Sequence, residues 1–76
     1  MTPYDSPLDP DTWLRNIFAT KQVQQGGVIR RNARDVERFC GIAAFTAEIN
    51  RRGYQVVENG GQFIIFCNRD PIRRVI

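Results

Sequence analysis

The sequence predicts a small α+β domain. Its order is helix, strand, helix, turn, helix, strand, hairpin, strand, with a three-stranded sheet packed on the helices. Three observations predict it. The hydrophobic phase changes at Gly41, inside the stretch Asn32 to Gly53. Two runs with strand character, Tyr54 to Glu58 and Gln62 to Cys67, flank Asn59-Gly60-Gly61. Asp9-Pro10-Asp11 sets an aspartate cap, a proline at the first helical position and an acid in the first turn, which together mark a helix start.

Taken in order, Met1 to Leu8 carries Pro3 and Pro7 without periodicity and reads as an N-terminal arm. The single domain is expected over 9–70, with a tail over 71–76. Trp13, Leu14, Ile17 and Phe18 form one apolar stripe. The first helix is expected to run to about Gln24 and to stop at Gly26-Gly27. Val28 to Arg31 reads as a short strand. Asn32 is a good N-cap for the next helix, with Asp35 three residues on.

The centre of the chain decides between one helix and two. At about 100° per residue, Val36, Phe39, Cys40, Ala43 and Ala47 share one face, while Ile42, Phe45 and Ile49 share another about 150° away. One straight helix would have to bury two nearly opposite stripes. A turn at Gly41 sends both into one core, and glycine inside a helix costs about 1 kcal/mol against alanine. The rival is an α-β-α-β-β chain with one continuous long helix. Arg51 and Arg52 suit the last turn of the second helix, and Gly53 suits its C′ position. Asn59-Gly60 is a hairpin dipeptide, because asparagine and glycine tolerate positive φ. The expected core is Trp13, Ile17, Phe39, Phe45, Ile49, Val56, Phe63 and Ile65.

Composition bounds the function. Seventy-six residues make one small domain, and 42% hydrophobic content is near the folded norm. No apolar run spans a membrane and no secretory signal opens the chain, so a cytoplasmic location is expected. Net charge is +3 and uneven: residues 1–20 sum to −2 and residues 21–76 to +5. Ten of the eleven cations are arginine, which forks two hydrogen bonds to phosphate or carboxylate. A basic body of this kind means nucleic acid, an acidic protein partner, or a solvated surface with Asp35, Glu37 and Glu48 as partners.

Chemistry is thin. There is no histidine, one lysine (Lys21) and one serine (Ser6, in the arm). Cys40 and Cys67 lack the spacing of a metal motif, and an ordinary Cys/His zinc site is excluded within one copy. The scattered acids form no acid/base pair. No cofactor or metal is implied, and an enzyme is not expected.

The element order resembles a winged helix-turn-helix domain over residues 10–67. Val36, Cys40, Gly41 and Ile42 match the apolar and glycine positions of the helix-turn-helix, and Asn59 to Gln62 match a very short wing. Glu37 departs from the pattern, which usually has a small residue there. The resemblance implies that Ile42 to Arg52 enters the major groove. It implies nucleic-acid contacts from Arg34, Arg38, Asn50, Arg51, Arg52 and Gln62, with Arg30, Arg31, Arg69, Arg73 and Arg74 extending the basic surface. Against this, Ala43, Ala44 and Ala47 offer little to read, and Glu48 repels phosphate. The alternative is a protein-interaction or adaptor module.

The strand Gln62 to Cys67 is apolar on both faces, but the helices cover only one. Ile64 and Phe66 therefore need a cover. Either Ile72, Val75 and Ile76 of the tail fold back over them, or a second copy does, giving a homodimer whose interface includes Ile64, Phe66 and Ile72.

Overall fold

A computed structural model of the chain describes residues 9–76; the N-terminal arm lies outside the described residues. Four helices and three strands follow the order α1 (Pro10–Phe18), α2 (Lys21–Gln24), β1 (Val28–Asn32), α3 (Ala33–Phe39), α4 (Ile42–Arg52), β2 (Gln55–Asn59) and β3 (Gln62–Phe66). The sheet is antiparallel in the order β1-β3-β2. This is the expected α+β class, four helices with a three-stranded antiparallel sheet, and the continuous-helix alternative is set aside. Among the described residues no helix is long and apolar enough to cross a membrane.

The first helix is shorter than expected. Asp9 caps α1, its Oδ1 accepting the Thr12 N–H at 2.7 Å, with Pro10 at the first position. The helix then ends at Phe18. Thr20 takes an extended conformation (φ −76°, ψ 155°), and its hydroxyl caps α2 by accepting the Val23 N–H at 3.4 Å. The reason is hydrophobic phase. On one continuous helix Val23 would lie about 180° from Leu14, yet both are buried. The break at Thr20 turns Val23 inward.

At Gly41 the chain does what the phase change requires. The N–H groups of Cys40 and Gly41 both donate to the Val36 carbonyl, at 3.0 and 2.8 Å. Gly41 has φ 88° and ψ 148° and precedes α4 without any side-chain cap. A Cβ built there would meet nothing within 4 Å, so the constraint is the dihedral and not space. The far end of α4 closes with a Schellman pattern. Gly53 is left-handed at φ 73°, its N–H donates to the Asn50 carbonyl, and the Tyr54 N–H donates to the Ile49 carbonyl at 3.0 Å.

The hairpin loop is Gly60-Gly61, with φ 57° and 78°, closed by the pair Asn59 and Gln62. The turn falls within the expected Asn59-Gly60-Gly61, on its two glycines. Two glycines fit the two positive-φ positions of a type I′ turn, and Asn59 becomes the last residue of β2. The loop does not project far, since the Gly61 carbonyl accepts the Ala33 N–H at 2.9 Å where α3 begins.

The helices pack on one face of the sheet. Leu14, Ile17, Phe18, Val23, Ile29, Val36, Phe45, Ile49, Ile65 and Cys67 form the buried core. Of the expected core, Ile17, Phe45, Ile49 and Ile65 are buried; Trp13, Phe39, Val56 and Phe63 are only half-buried. The last four lie at its margin: Trp13 stacks on Phe39 with centroids 5.7 Å apart, and Phe63 stacks on Phe45 at 5.2 Å. Both cysteines are free, Cys67 buried and Cys40 half-buried.

Two predictions follow from this packing. Gly41→Ala forces a Cβ into a glycine-only dihedral region and should cost about 1–3 kcal/mol in urea denaturation. Phe45, 1% exposed, should cost about 3–5 kcal/mol when cut to alanine, enough to abolish most of the cooperative melt.

Candidate nucleic-acid interface

The outward side of α4 is set by what its inward side buries. Phe45 and Ile49 point into the core, which leaves Ala43, Thr46, Ala47 and Asn50 exposed in one stripe with Ile42 at its start. The stripe is small and nearly uncharged. The Thr46 hydroxyl donates to the carbonyls of Ile42 and Ala43, at 3.0 and 3.1 Å, so it is occupied by its own helix. Asn50 is the exposed amide on this face. It also borders an open groove of about 460 Å³ between α4 and β2, floored by Phe45, Ile49 and Val56.

The six residues expected to contact nucleic acid fall into separate groups. Arg51, Arg52 and Asn50 lie on the last turn of α4, just before β2 begins. Gln62 lies at the other end of that strand, opposite Asn59 and also opposite Asn32 of β1. Five residues of strand separate the two ends, about 16 Å. Arg34 belongs with Gln62, because its N–H is capped by the Asn32 Oδ1 at 2.9 Å. Arg34 and Arg38 are four apart on α3, directly opposite the buried Val36, and point away from the core. Arg38 also rests 5.4 Å from the centroid of the Phe39 ring.

The charges differ as sharply as the positions. Glu48 Oε1 accepts from Arg51 Nε at 3.0 Å, Oε2 accepts from Arg51 Nη2, and Oε2 also accepts from Arg52 Nε. These are the ion pairs found among the described residues. Asp35 and Glu37 pair with no arginine there, so the solvated-surface reading applies to Glu48 alone of the three. Arg52 is only 25% exposed against 67% for Arg51. Its guanidinium lies 4.7 Å from the Phe18 centroid and 5.9 Å from that of Tyr54, so it is part of the packing between α1 and α4. Hydrogen bonds from Arg51 and then Arg52 hold the Glu48 carboxyl at about 2, far below its ordinary value.

Arg69, named only as part of a broad basic surface, has a defined seat. Its guanidinium covers Gly53, where a Cβ would come within 2.5 Å of Nε. Glycine at that position serves both the left-handed turn and the close approach. No local signal could show this, because Arg69 reaches Gly53 through the fold. The segment after β3 is held by Gln55, whose Nε2 donates to the carbonyls of Asn68 at 3.2 Å and Asp70 at 2.6 Å.

The residues expected at an interface are also divided. Ile64 and Phe66 lie on the open face of the sheet, half-buried, in rows with Arg30 and Val57 and with Val28 and Gln55. Val28 and Val57 are 41% and 39% exposed. The tail does not cover them: Ile72 is 44% exposed, Val75 84% and Ile76 fully.

The Glu48 network has a pH signature. A carboxyl whose folded value is lowered contributes stability that is complete above its unfolded value and is lost as pH falls through the folded one. The wild type should therefore be more stable than Glu48→Gln near neutrality, and the gap should close between about pH 4 and pH 2. Thermal melts of both proteins across that range check it.

No family model, curated protein or solved structure matches the chain.

Proposed function

We propose that this chain is a small, non-enzymatic winged-helix-type module that binds duplex DNA. The observation that carries the reading is the pair α3 and α4 joined at Gly41. It leaves the outer face of α4 without cover from any described element, beside arginines on α3 that have no acidic partner there. The small side chains Ala43 and Ala47 let a helix backbone approach base edges closely. Asn50 supplies an amide that pairs with adenine. Arg34 and Arg38 supply phosphate contacts, which position a protein on duplex without reading sequence. Gln62, beside the start of α3, extends the same contact from the hairpin.

A second reading rests on a different observation, the open face of the sheet. Val28, Val57, Ile64 and Phe66 make a compact apolar patch with no described helix over it. A second copy placed on it by a two-fold axis gives a homodimer, with Ile72 at its margin. An acidic protein partner facing Arg30 is the other occupant of this reading.

Fluorescence anisotropy on a labelled mixed-sequence duplex, repeated on single-stranded RNA, tests the first reading. Wild type should bind the duplex at low salt, and Arg34→Ala with Arg38→Ala should flatten the plot of log K against log salt by about 1.8, or about 0.9 per phosphate contact. No binding at low salt would sink it, and tighter binding to RNA would change the target class. Sedimentation of wild type and Phe66→Asp tests the second. A dimer that the substitution dissociates supports it, and a wild-type monomer that shows no partner on that face removes it.

A further inference from the structure

Ten arginines give this chain its positive charge, but they are not equally free to meet a phosphate. At the end of α4 a single carboxylate engages two of them. Glu48 takes Arg51 in a two-pronged pair and Arg52 through its Nε. Arg52 is further fixed on the Phe18 ring at 4.7 Å. The adjoining cleft of about 310 Å³ between α1 and α4 is lined by Arg15, Arg51 and Arg52 but also by Asp11 and Glu48. On α3 the balance is different. Asp35 and Glu37 are near in sequence, yet neither comes within ion-pair distance of Arg34 or Arg38.

We infer that Glu48 decides which end of the molecule grips the DNA backbone: by holding Arg51 and Arg52 it withdraws the end of α4 from phosphate, and Arg34 and Arg38 of α3 carry the contact instead. The inference rests on the DNA-binding reading. An approaching phosphate meets a net charge of one at the Glu48 cluster, not two. The carboxylate lies in direct contact with both guanidinium groups, well inside the screening length of about 8 Å at physiological salt, so salt does not hide it. The pairing also commits the Nε edge of Arg51 and the Nε of Arg52 to the carboxylate, so fewer of their N–H donors remain for phosphate. Glu48 is thus a positioning residue for the interface, not a contact within it. The low carboxyl value agrees with this, because the group stays charged throughout the physiological range.

The test uses a fluorescein-labelled mixed-sequence DNA duplex and the full chain. In wild type, Arg51→Ala should leave the salt slope almost unchanged, while Arg34→Ala should reduce it by about 0.9. Glu48→Gln should tighten binding at low salt and steepen the slope by about 0.9 or more. In the Glu48→Gln background, Arg51→Ala should now reverse that gain. Circular dichroism melts establish that each variant is folded, and Glu48→Ala repeats the measurement if glutamine proves unstable. Tighter binding by Glu48→Gln than by a weakly binding wild type also supports the inference. Wild-type binding with an unchanged slope in both Glu48 variants overturns the inference and leaves the DNA-binding reading standing. An Arg51→Ala effect in wild type equal to that of Arg34→Ala overturns it likewise. Failure of the wild type to bind the duplex at low salt removes the DNA-binding reading, and the inference with it.

Discussion

The positive φ at Gly41 is the constraint on which the rest of the domain depends. Val36 lies before it and Phe45 and Ile49 after it, and all three are buried in one core. On a continuous helix these side chains could not share a side. Turning the chain at Gly41 aligns them, and the same turn leaves α4 with its opposite stripe exposed. Burial and display are therefore consequences of one dihedral angle. The two N–H groups that converge on the Val36 carbonyl close α3, and the Gly41 carbonyl accepts the Phe45 N–H to open α4.

The sheet imposes the second asymmetry. β3 is the central strand, and its alternation sends Ile65 and Cys67 into the core and Ile64 and Phe66 to the open side. Central strands with apolar residues on both faces are usual in covered sheets, yet here the helices all lie on one face. The neighbouring strands partly shield the open side, which is why Ile64 and Phe66 are half-buried and not bare. What remains is a modest apolar patch, ringed by Arg30, Gln55 and Gln62.

Electrostatics then separates arginines that composition treats alike. Arg52 is a packing residue that carries a charge, lying on Phe18 and tethered by Glu48. Arg69 is seated over the C-terminal end of α4, where a cation complements the exposed carbonyls. Arg34 and Arg38 have no acidic partner among the described residues, although Arg38 does rest against the Phe39 ring. Counting charge would have given all four the same weight.

Much of the fold was legible because its signals are local. Asp9, Asn32 and Gly53 each occupy the cap position their chemistry favours, since a cap needs only a side chain or a dihedral and the neighbouring N–H groups. The break at Thr20 was missed, since the first helix was expected to run to about Gln24, although Val23 lies out of phase with Leu14. The hairpin was legible as a turn at Asn59-Gly60-Gly61, and the pairing of Asn59 with Gln62 narrows it to the two glycines. The Glu48 pairs follow spacings of three and four on one helix. Their meaning for the site did not follow, since it depends on Phe18 fixing Arg52 from another helix. Sequence by itself determined most of the elements, the caps at Asp9, Asn32 and Gly53 and the corner at Gly41, all governed by dihedral preference and hydrophobic phase within a few residues. Only the tertiary structure decided that Trp13 and Phe39 are marginal, that the tail leaves the open sheet face uncovered, that Arg69 sits on Gly53, and that the expected contact residues lie at opposite ends of β2. Each of these depends on residues far apart in the chain meeting in space, and no local preference encodes that meeting.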